Sequence, residues 1–390
     1  MPGHDFDRII DRRGGDSVKW NVYPAEVLPM WVADADFLAP EAVTRALAER
    51  VSHGVFGYSS GLEPAFRQAV SHWMQSRFSW SVDPEWVAFS PTVVISLVLC
   101  VQTFTEPGDA VLFFTPSYPP FFSVPQNNGR QALCSSLIRT DDGYAIDFDD
   151  FAEKAARPST KLLLLCNPHN PTGRAFTREE LTRIGDICLE HGVLVVADEI
   201  HCDYVHPGKA HLPFASLSRA FAMNCLTAVN PSKTFNIADL HCSALISANP
   251  ELLAAFTKAT ERMALHSNAL GMRALITAYT ECACYADGVN AYTLDNIRLA
   301  VPRINSAVPG VSAYVPESTF LLWLDCRGLG LPQTGIEDFF VKEAKLALNP
   351  GTAFGPEGEG FMRMNLACPR STVEEALDRL ERAARKRAGL

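Results

Sequence analysis

The chain has no long hydrophobic run, since none of its apolar stretches approaches the ~20 residues that a helix needs to span a bilayer. It has no excess of basic charge either: 34 lysines and arginines stand against 44 acidic residues, which gives a net charge of −10. The densest basic segment, residues 379–387, is interspersed with acids and alanines and is typical of a solvated helix face. Neither a membrane-spanning protein nor a nucleic-acid-binding protein is therefore expected.

Internal repeats, low-complexity segments and C-x-x-C pairs are also missing. The eleven cysteines are odd in number and scattered, and no apolar secretory segment stands at the N-terminus, so we predict reduced thiols in a cytoplasmic protein. Cys282 and Cys284 are too close in sequence to form a zinc ligand pair. His201, Asp203 and His206 have a spacing that suggests a metal site, but they fall in a predicted loop, and we expect no metal.

Apolar residues, in contrast, make up 47% of the 390 residues, which is ordinary for a globular protein. The length exceeds that of a usual single domain, so two domains are expected. The first 40 residues, with their Pro, Trp and Asp, are predicted to form an irregular arm. We assign residues 49–286 to a large domain, and residues 1–48 and 287–390 to this arm together with a smaller α+β domain.

Helical patterns are predicted for residues 41–51, 64–77 and 92–104. The third is strongly apolar, and its free N-terminal amides could hold an anion. Strand and helix patterns then alternate as far as Ile246. A stretch with few helix breakers predicts a long helical segment over residues 268–305 that bridges the domains. The remaining elements are strands near 311–315 and 320–325 and helices near Ile336 and Thr372.

Three apolar segments each deliver a polar side chain beyond their carboxyl ends. KLLLLC leads to Asn170, GVLVVA leads to Asp198, and CLTAV leads to Lys233. Near-continuous apolar strands that alternate with helices predict a parallel sheet covered on both faces, and ligands bind outside the carboxyl ends of such strands. We therefore expect Asn170, Asp198 and Lys233 to converge on one crevice.

The Ser-Lys pair in AVNPSKTFNI is the most informative of these features. Taken alone, it would be read as a solvated loop lysine, just as a lone Asp198 would be read as a helix cap. A lysine becomes a covalent catalyst when its surroundings lower its pKa and an electrophile lies within reach, such as the aldehyde of pyridoxal phosphate (PLP). Three polar strand ends in this order favour the catalytic interpretation of Lys233.

The whole chain resembles a fold type I PLP enzyme, in the cystathionine β-lyase or cysteine-S-conjugate C–S lyase branch of the class I/II aminotransferase-like superfamily. NPTG, DE and SK mark the superfamily, while DEIH and HGVFGY point to the lyase branch. The resemblance implies an α/β fold, with a mostly parallel seven-stranded sheet between helices in the large domain and a smaller α+β domain. The motifs that carry it, in chain order, are PMWVADADF, HGVFGYS, TPSYPPF, CNPHNPTG, ADEIHCD, NPSKTFN and FMRMNLACPR.

The resemblance also implies roles around the cofactor ring. Lys233 would bind PLP covalently and move the proton at the substrate Cα, and Asp198 would keep the pyridine nitrogen protonated. Asn170 would hydrogen-bond the ring hydroxyl, and Tyr118 would stack on the ring. The alternatives are an Asx turn before Pro171 for Asn170 and an ordinary half-buried aromatic residue for Tyr118.

For the cofactor phosphate, the resemblance implies the amides of Val93 and Val94, the Ser232 hydroxyl, and Tyr58 from a neighbouring subunit of a homodimer. Tyr58 is placed with the catalytic residues, and its alternative is simple packing. For the substrate, Arg363 would bind the α-carboxylate in bidentate fashion. Asn170 and Ala35 are further expected substrate contacts.

His169 and His201 stand next to predicted site residues, and an orienting role is favoured for both over acid–base catalysis. The sequence departs from the family pattern at Ala35, Asn230, Asp239 and His241. An extra carboxylate and imidazole near the lysine loop could alter the reaction, or Asp239 could be a surface residue without chemistry.

The predicted function is cleavage of an L-cysteine S-conjugate or cystathionine to a thiol, pyruvate and ammonia. A non-enzyme interpretation, a regulator or sequestering protein with the PLP fold, is disfavoured because Lys233, Asp198, Asn170 and Arg363 are retained. Two alternative reactions stay open. One is an aminotransferase; the other is a PLP enzyme that decarboxylates or oxidatively deaminates an S-cysteinyl conjugate in specialised metabolism. The sequence has no readable code for the group attached to sulfur.

Overall fold

The computed structural model describes residues 4–141 and 143–390. The strands are β1 (Leu28–Pro29), β2 (Val87–Ser90), β3 (Ala110–Thr115), β4 (Gln131–Ser136), β5 (Ile138–Thr140), β6 (Gly143–Ala145), β7 (Thr160–Cys166), β8 (Leu194–Asp198), β9 (Cys225–Val229), β10 (Ser243–Ile246), β11 (Ser312–Ala313), β12 (Leu321–Asp325), β13 (Leu346–Ala347), β14 (Asn349–Pro350) and β15 (Phe361–Asn365).

The α-helices are α1 (Val18–Asn21), α2 (Glu41–Ser52), α3 (Glu63–Phe78), α4 (Val93–Phe104), α5 (Pro120–Asn127), α6 (Phe148–Ala155), α7 (Arg178–Glu190), α8 (Arg219–Met223), α9 (Pro250–Arg262), α10 (Ala269–Glu281), α11 (Ala283–Ala307), α12 (Gln333–Asp338) and α13 (Arg370–Ala388). In the described parts of the chain, no helix combines the length and the apolar character needed to cross a membrane.

A seven-stranded sheet forms the centre of the molecule, in the order β2-β10-β9-β8-β7-β3-β4. The strands from β9 to β4 pair in parallel, and β10 runs antiparallel to both β9 and β2. Strands β3 and β9 are buried along their whole length, as their unbroken apolar sequences predict for a sheet covered on both faces. The predicted α/β fold class with a mostly parallel seven-stranded sheet is confirmed.

The long helical segment predicted for residues 268–305 is two helices, α10 and α11, which meet at Cys282. Cys282 has non-helical backbone angles (φ −112°, ψ 24°). The segment around it, residues 279–285, contains neither glycine nor proline. The break is therefore a tertiary feature. α10 packs on α2 and α3, whereas α11 packs on α13.

A second sheet, in the order β11-β12-β15-β14, is antiparallel. Its apolar core is separate from the core of the large sheet and contains buried residues from 297 onward, together with Leu28 and Met30 of the arm. This grouping is consistent with an arm that belongs to the smaller domain. The boundaries at 48/49 and 286/287 stay a prediction.

The arm is more regular than its sequence predicts. It contains the short helix α1, capped by Ser17, and β1, which pairs in parallel with β13. Beyond β1, the amide of Asp36 donates to the carbonyl of Ala367 at 2.8 Å. The arm is thus hydrogen-bonded to the smaller domain on its way to the large sheet.

Candidate active site

A cavity of about 340 Å³ lies at the carboxyl edge of the large sheet. Because β7, β8 and β9 are parallel and in register, Cys166, Asp198 and Ala228 align across the sheet. The loops that follow these strands therefore open on one crevice, as predicted. The cavity is lined by Trp31, Val32, Ala33, Thr92, Val93, Val94, Tyr118, Cys166, Asn170, Asp198, Ile200, His201, Asn230, Ser232, Lys233, Ala238, Asn349 and Arg363.

The loop that carries Lys233 is fixed on several sides. The Thr234 hydroxyl donates to Asp203 at 2.8 Å, and the Tyr204 hydroxyl donates to the carbonyl of Lys233 at 3.2 Å. Asn236 has a left-handed backbone (φ 54°), a conformation that asparagine tolerates better than most residues. Its amide group exchanges hydrogen bonds with the backbone of Ala35, which ties the lysine loop to the arm.

The Lys233 side chain points into the cavity, and its Nζ donates to the carbonyl oxygen of Ala33 at 2.7 Å. Burial, and after it the nearby Arg363, lower the pKa of Lys233 to about 8, against the opposing effect of Asp34 and Asp198. The side chain is half-buried where it borders the cavity. A substantial neutral fraction near pH 8 suits a nucleophile or a base.

Asp198 is 4% exposed at the end of β8. Burial raises the pKa of its carboxyl to about 7, against the amide of Ile200, which donates to Oδ1 at 3.1 Å. Asp198 therefore accepts from a backbone amide, as the alternative interpretation of a helix cap predicts. Its side chain also lines the cavity. A cationic ring nitrogen at this carboxyl would favour its ionised form.

Arg363 on β15 is a buried cation, 3% exposed, that lies within ion-pair distance of no carboxylate in the described chain. Its Nη1 donates to Oδ1 of Asn170 at 3.0 Å, and its Nη2 donates to the carbonyl of Trp31 at 3.0 Å. Burial lowers its pKa to about 10, and its Nε has no partner among the described residues. Such a guanidinium on a cavity wall is ready to bind an anion.

The loop of Asn170 is shaped by Gly173, which has a φ of +68°. A Cβ at this position would lie 2.4 Å from Cβ of Pro316, so only glycine fits the close approach of the two segments. The G of NPTG thus anchors the loop against the start of the smaller domain. It leaves the buried Asn170 facing the cavity.

An anion site is formed where α4 begins. Thr92 caps the helix by accepting from the amide of Ile95 at 3.2 Å, which leaves the amides of Val93 and Val94 without helical partners. These residues line the cavity together with Ser232 and Asn230. Helix N-terminal amides and a hydroxyl group are suitable donors for a phosphate.

The two predicted tyrosines differ in position. Tyr118 is half-buried on the cavity wall, where burial raises its pKa and the neighbouring Asp198 acts in the same direction. Tyr58 is fully exposed and lies in a separate surface hollow with Arg50 and residues 266–270. A single chain therefore does not bring Tyr58 to the cavity.

Ala35, a predicted substrate contact, does not line the cavity. It is 3% exposed and absent from the cavity wall, because its backbone is bonded to Asn236; Ala33, two residues earlier, borders the cavity instead. Asp239 and His241 are exposed and also lie outside the cavity lining, although their neighbour Ala238 is part of it.

The two predicted histidines have different surroundings. Nδ1 of His169 lies 2.8 Å from the Thr172 hydroxyl, and this ring is not on the cavity wall. His201 lines the cavity, and its Nδ1 has no partner among the described residues. Burial lowers the pKa of each to about 3. Both are therefore neutral, which fits an orienting role and argues against proton transfer at pH 7.

Sequence reasoning missed the contributions of Trp31, Val32, Ala33 and Asn349. The arm contacts Lys233 and Arg363 through backbone carbonyl groups, which every residue has, so the sequence gives no sign of these contacts. Asn349 belongs to a two-residue strand, which is too short to form a pattern in the sequence. The PMWVADADF segment carries part of the family resemblance, but its contact with Lys233 is set by tertiary structure alone.

The donor set fits PLP. The cavity presents a lysine amine of lowered pKa, a carboxyl group for a ring nitrogen, an aromatic face and helix-terminal amides for a phosphate. The buried, unpaired Arg363 leaves room for the carboxylate of an amino-acid substrate beside them. A cavity of this size lies within the usual range for small-molecule sites.

Comparison with known proteins agrees with this geometry. The profile of the family "Aminotransferase class I and II" matches residues 26–380. Cystathionine beta-lyase PatB of Bacillus subtilis (strain 168) is 43% identical over 385 residues, which cover 97% of this chain and 99% of PatB.

Two solved structures extend the similarity to the fold. OvoB is 40% identical with a TM-score of 0.92, covering 97% of this chain and 99% of OvoB. Cystalysin from Treponema denticola, whose crystal structure contains a pyridoxal 5′-phosphate cofactor, is 34% identical with a TM-score of 0.94, covering 98% and 99%. The predicted resemblance is confirmed: the chain belongs to the aminotransferase class I and II family, in the branch of the cystathionine β-lyases.

Proposed function

We propose that this protein is a PLP-dependent carbon–sulfur β-lyase, which converts an L-cysteine S-conjugate or cystathionine into a thiol, pyruvate and ammonia. The observation that carries the proposal is the meeting of Lys233, Asp198 and the unpaired Arg363 in one cavity. The relation to PatB, a cystathionine β-lyase 43% identical over nearly the whole of both chains, supports the lyase reaction.

Lys233 would bind the cofactor aldehyde, Asp198 would pair with the ring nitrogen, Asn170 would hydrogen-bond the ring hydroxyl, and Tyr118 would stack on the ring. The amides of Val93 and Val94 with the Ser232 hydroxyl would hold the phosphate. When bound, PLP supplies the electron sink that makes the substrate Cα proton acidic. These residue roles rest on the cavity wall described above and on the family motifs that carry the same residues.

Arg363 orients the substrate by accepting its α-carboxylate on a buried, preorganised guanidinium. The substrate amine takes the place of Lys233 on the cofactor aldehyde, and the freed Nζ of Lys233 removes the proton from Cα. The bond between Cβ and sulfur breaks with its electron pair on sulfur, and 2-aminoacrylate takes up water to give pyruvate and ammonia. A thiolate is a stable leaving group, since an ordinary thiol pKa is about 8.5. Sulfur therefore needs no acid from His201, whose pKa of about 3 makes it a poor proton donor at pH 7.

The reaction type is tested with a panel of cysteine S-conjugates and cystathionine, with the products identified by mass spectrometry. We expect thiol and pyruvate in equal amounts without an added keto acid. Transfer of the amino group to an added keto acid, with pyridoxamine phosphate seen in the spectrum, would instead identify an aminotransferase. Carbon dioxide or an aldehyde with sulfur still bound to carbon would identify the decarboxylating or oxidative alternative.

Asp239 and His241 motivated the decarboxylating alternative. Both are exposed and neither lines the cavity of the chain, so the lyase is the better supported reaction. Asp239→Gly and His241→Thr are the matching variants. An unchanged product distribution in both supports the lyase assignment.

We further propose a homodimer in which Tyr58 reaches the phosphate site of the other copy. Tyr58 is fully exposed, and the side chains of Val51, Val55 and Phe56 near it are between 50% and 62% exposed. Such a group of exposed apolar residues is typical of an interface. Mixing Tyr58→Phe with Lys233→Ala subunits should restore activity through hybrid dimers that contain one intact site. A fully active monomer in sedimentation would refute this arrangement.

The cytoplasm is the compartment we propose. Ten of the eleven cysteines are buried or half-buried, and these ten form no disulfide in the structure. Buried thiols in this number, not joined in disulfides, are usual in a reducing compartment.

A further inference from the structure

The arm presents a row of backbone carbonyl groups to the candidate site. The carbonyl of Trp31 accepts from Arg363 at 3.0 Å and from Asn349 at 2.9 Å, and that of Ala33 accepts from Lys233 at 2.7 Å. The two cations of the site therefore share one stretch of backbone as their scaffold.

The same stretch is held by four charged residues, Arg12, Lys19, Asp34 and Asp36, here called the arm cluster. Asp36 accepts from Arg12 at 2.6 Å and from Lys19 at 2.7 Å. Its Oδ1 also accepts from the Trp20 indole at 2.8 Å. Arg12 reaches Asp34 at 2.7 Å, and Lys19 lies 3.6 Å from Asp34.

Burial makes this cluster unlike the surface ion pairs of the chain. The side chain of Lys19 is 1% exposed and that of Asp36 is 5% exposed, whereas Arg12 and Asp34 are each 22% exposed. Ion pairs removed from water are sensitive to the loss of either partner. The cluster therefore fixes the backbone of residues 31–36 from within the protein.

We propose that the arm cluster is a positioning device for the reaction: it fixes the arm so that the carbonyl groups of Trp31 and Ala33 hold Arg363 and Lys233 in their places on the cavity wall. This inference rests on the proposed function, because it assigns the cluster to the same site. Within it, Asp36 is the anchor, since three donors converge on its carboxylate.

Asp34 has a second role, because it also affects the ionisation of Lys233. This effect allows an experiment to distinguish a role in the site from a role in folding alone. The charged and titratable groups that face Lys233 are Arg363 on β15, Asp198 on β8, His201 in the following loop, and Asp34 on the arm. Of these, the carboxylates of Asp34 and Asp198 favour the protonated lysine. Asp36 has no such effect on Lys233, so the two neighbouring aspartates divide anchoring from electrostatic tuning.

The test compares Asp34→Asn with Asp36→Asn in the full-length protein after removal of PLP. The rate of PLP capture is followed by the growth of visible absorption at a series of pH values, and its midpoint reports the ionisation of Lys233. We expect Asp34→Asn to move the midpoint to lower pH at an almost unchanged melting temperature. Asp36→Asn should lower the melting temperature and shift the midpoint by less than Asp34→Asn does.

Rescue by a conservative change adds a second readout. Lys19→Met removes the central cation, while Lys19→Arg retains the charge. We expect kcat to fall by roughly tenfold to a hundredfold in Lys19→Met, because small displacements of catalytic groups are costly. Lys19→Arg should recover much of it. Asp338→Asn, in an exposed pair with Lys342, is the control and should behave as the unaltered protein.

The outcomes separate this inference from the proposed function. If the unaltered protein fails to capture PLP on Lys233, the proposed function is wrong. If it captures PLP, but folded Asp34→Asn keeps the original midpoint or Asp36→Asn shifts it equally, the arm cluster has no specific effect on Lys233. If folded Lys19→Met retains full kcat, the positioning role is refuted.

Discussion

Lys19 in the arm cluster and Arg363 on the cavity wall are both buried cations bonded to the arm, with 1% and 3% exposure. Lys19 lies 2.7 Å from the carboxylate of Asp36. Among the described residues, the Arg363 guanidinium donates only to an amide oxygen and a carbonyl oxygen, and it lies over the Phe354 ring at 4.8 Å. The charges of the arm cluster are paired with one another, so the cluster stabilises the structure. Arg363 has no carboxylate partner among the described residues, so it can bind an anion in the cavity. The difference predicts that changes in the cluster act on stability first and changes in the cavity act on activity first.

The largest effect is expected from Lys233→Ala. Visible absorption of the PLP-loaded protein should disappear, and turnover should fall by roughly 10²–10⁴-fold, the usual contribution of a positioned base. The free energy of unfolding of the PLP-free protein should change little, since a desolvated lysine contributes little to stability. Borohydride reduction followed by peptide mapping checks the attachment site. A pyridoxyl group on another lysine would contradict the assignment.

Lys19→Met, in contrast to Lys233→Ala, should act mainly on stability. It leaves Asp36 buried with one of its two cations lost, so the free energy of unfolding should fall by about 3–5 kcal/mol. Urea unfolding of the PLP-free protein measures this change. Lys342→Met, in a pair whose side chains are 70% and 61% exposed, is the matched control, with an expected change of about 0–1 kcal/mol. Equal effects of the two variants would remove the contrast between buried and exposed pairs.

Arg363→Leu should act on substrate binding rather than on folding. We expect kcat/KM to fall by an amount equivalent to about 2–5 kcal/mol, because the substrate carboxylate loses its buried partner. The melting temperature of the PLP-free protein should stay constant or rise, since an uncompensated buried charge is removed. Arg363→Lys should remain impaired, because an ammonium group cannot form the bidentate pair. A strong loss of stability in Arg363→Leu would place Arg363 with the structural cations.

The smallest expected effect is the pH dependence of the free energy of unfolding that Asp198 causes. Burial raises the pKa of Asp198 to about 7, so between pH 4 and 7 the folded PLP-free protein holds a proton that the unfolded chain has released. Its free energy of unfolding therefore falls as pH rises through this window. Asp198→Asn removes this contribution, and its advantage over the unaltered protein should grow by about 2 kcal/mol between pH 5 and 7. A difference independent of pH would show that Asp198 does not titrate there.

Many of the residues at the carboxyl edge of the large sheet could be predicted from the sequence, because they follow local patterns. Buried parallel strands read as unbroken apolar runs, and their carboxyl ends share one edge, so Asn170, Asp198 and Lys233 were expected together and line one cavity. The start of an apolar helix near residue 92 indicated amides that could hold an anion, and the family resemblance assigned this role to Val93 and Val94. The break between α10 and α11 was missed, because Cys282 and its neighbours contain no helix-breaking residue.

The sequence by itself determined the alternation of strands and helices, the parallel sheet, and the side chains at its carboxyl edge, because strand periodicity and burial are local properties. Tertiary structure alone decided that Ala33 rather than Ala35 borders the cavity, that Tyr58 lies away from it, and that Arg363 has no carboxylate partner in the part of the chain that the structure describes. It also brought Lys19 to Asp36 and the arm carbonyl groups to the two cations. These contacts join segments up to more than 300 residues apart through backbone groups and charges, which leave no local pattern in the sequence.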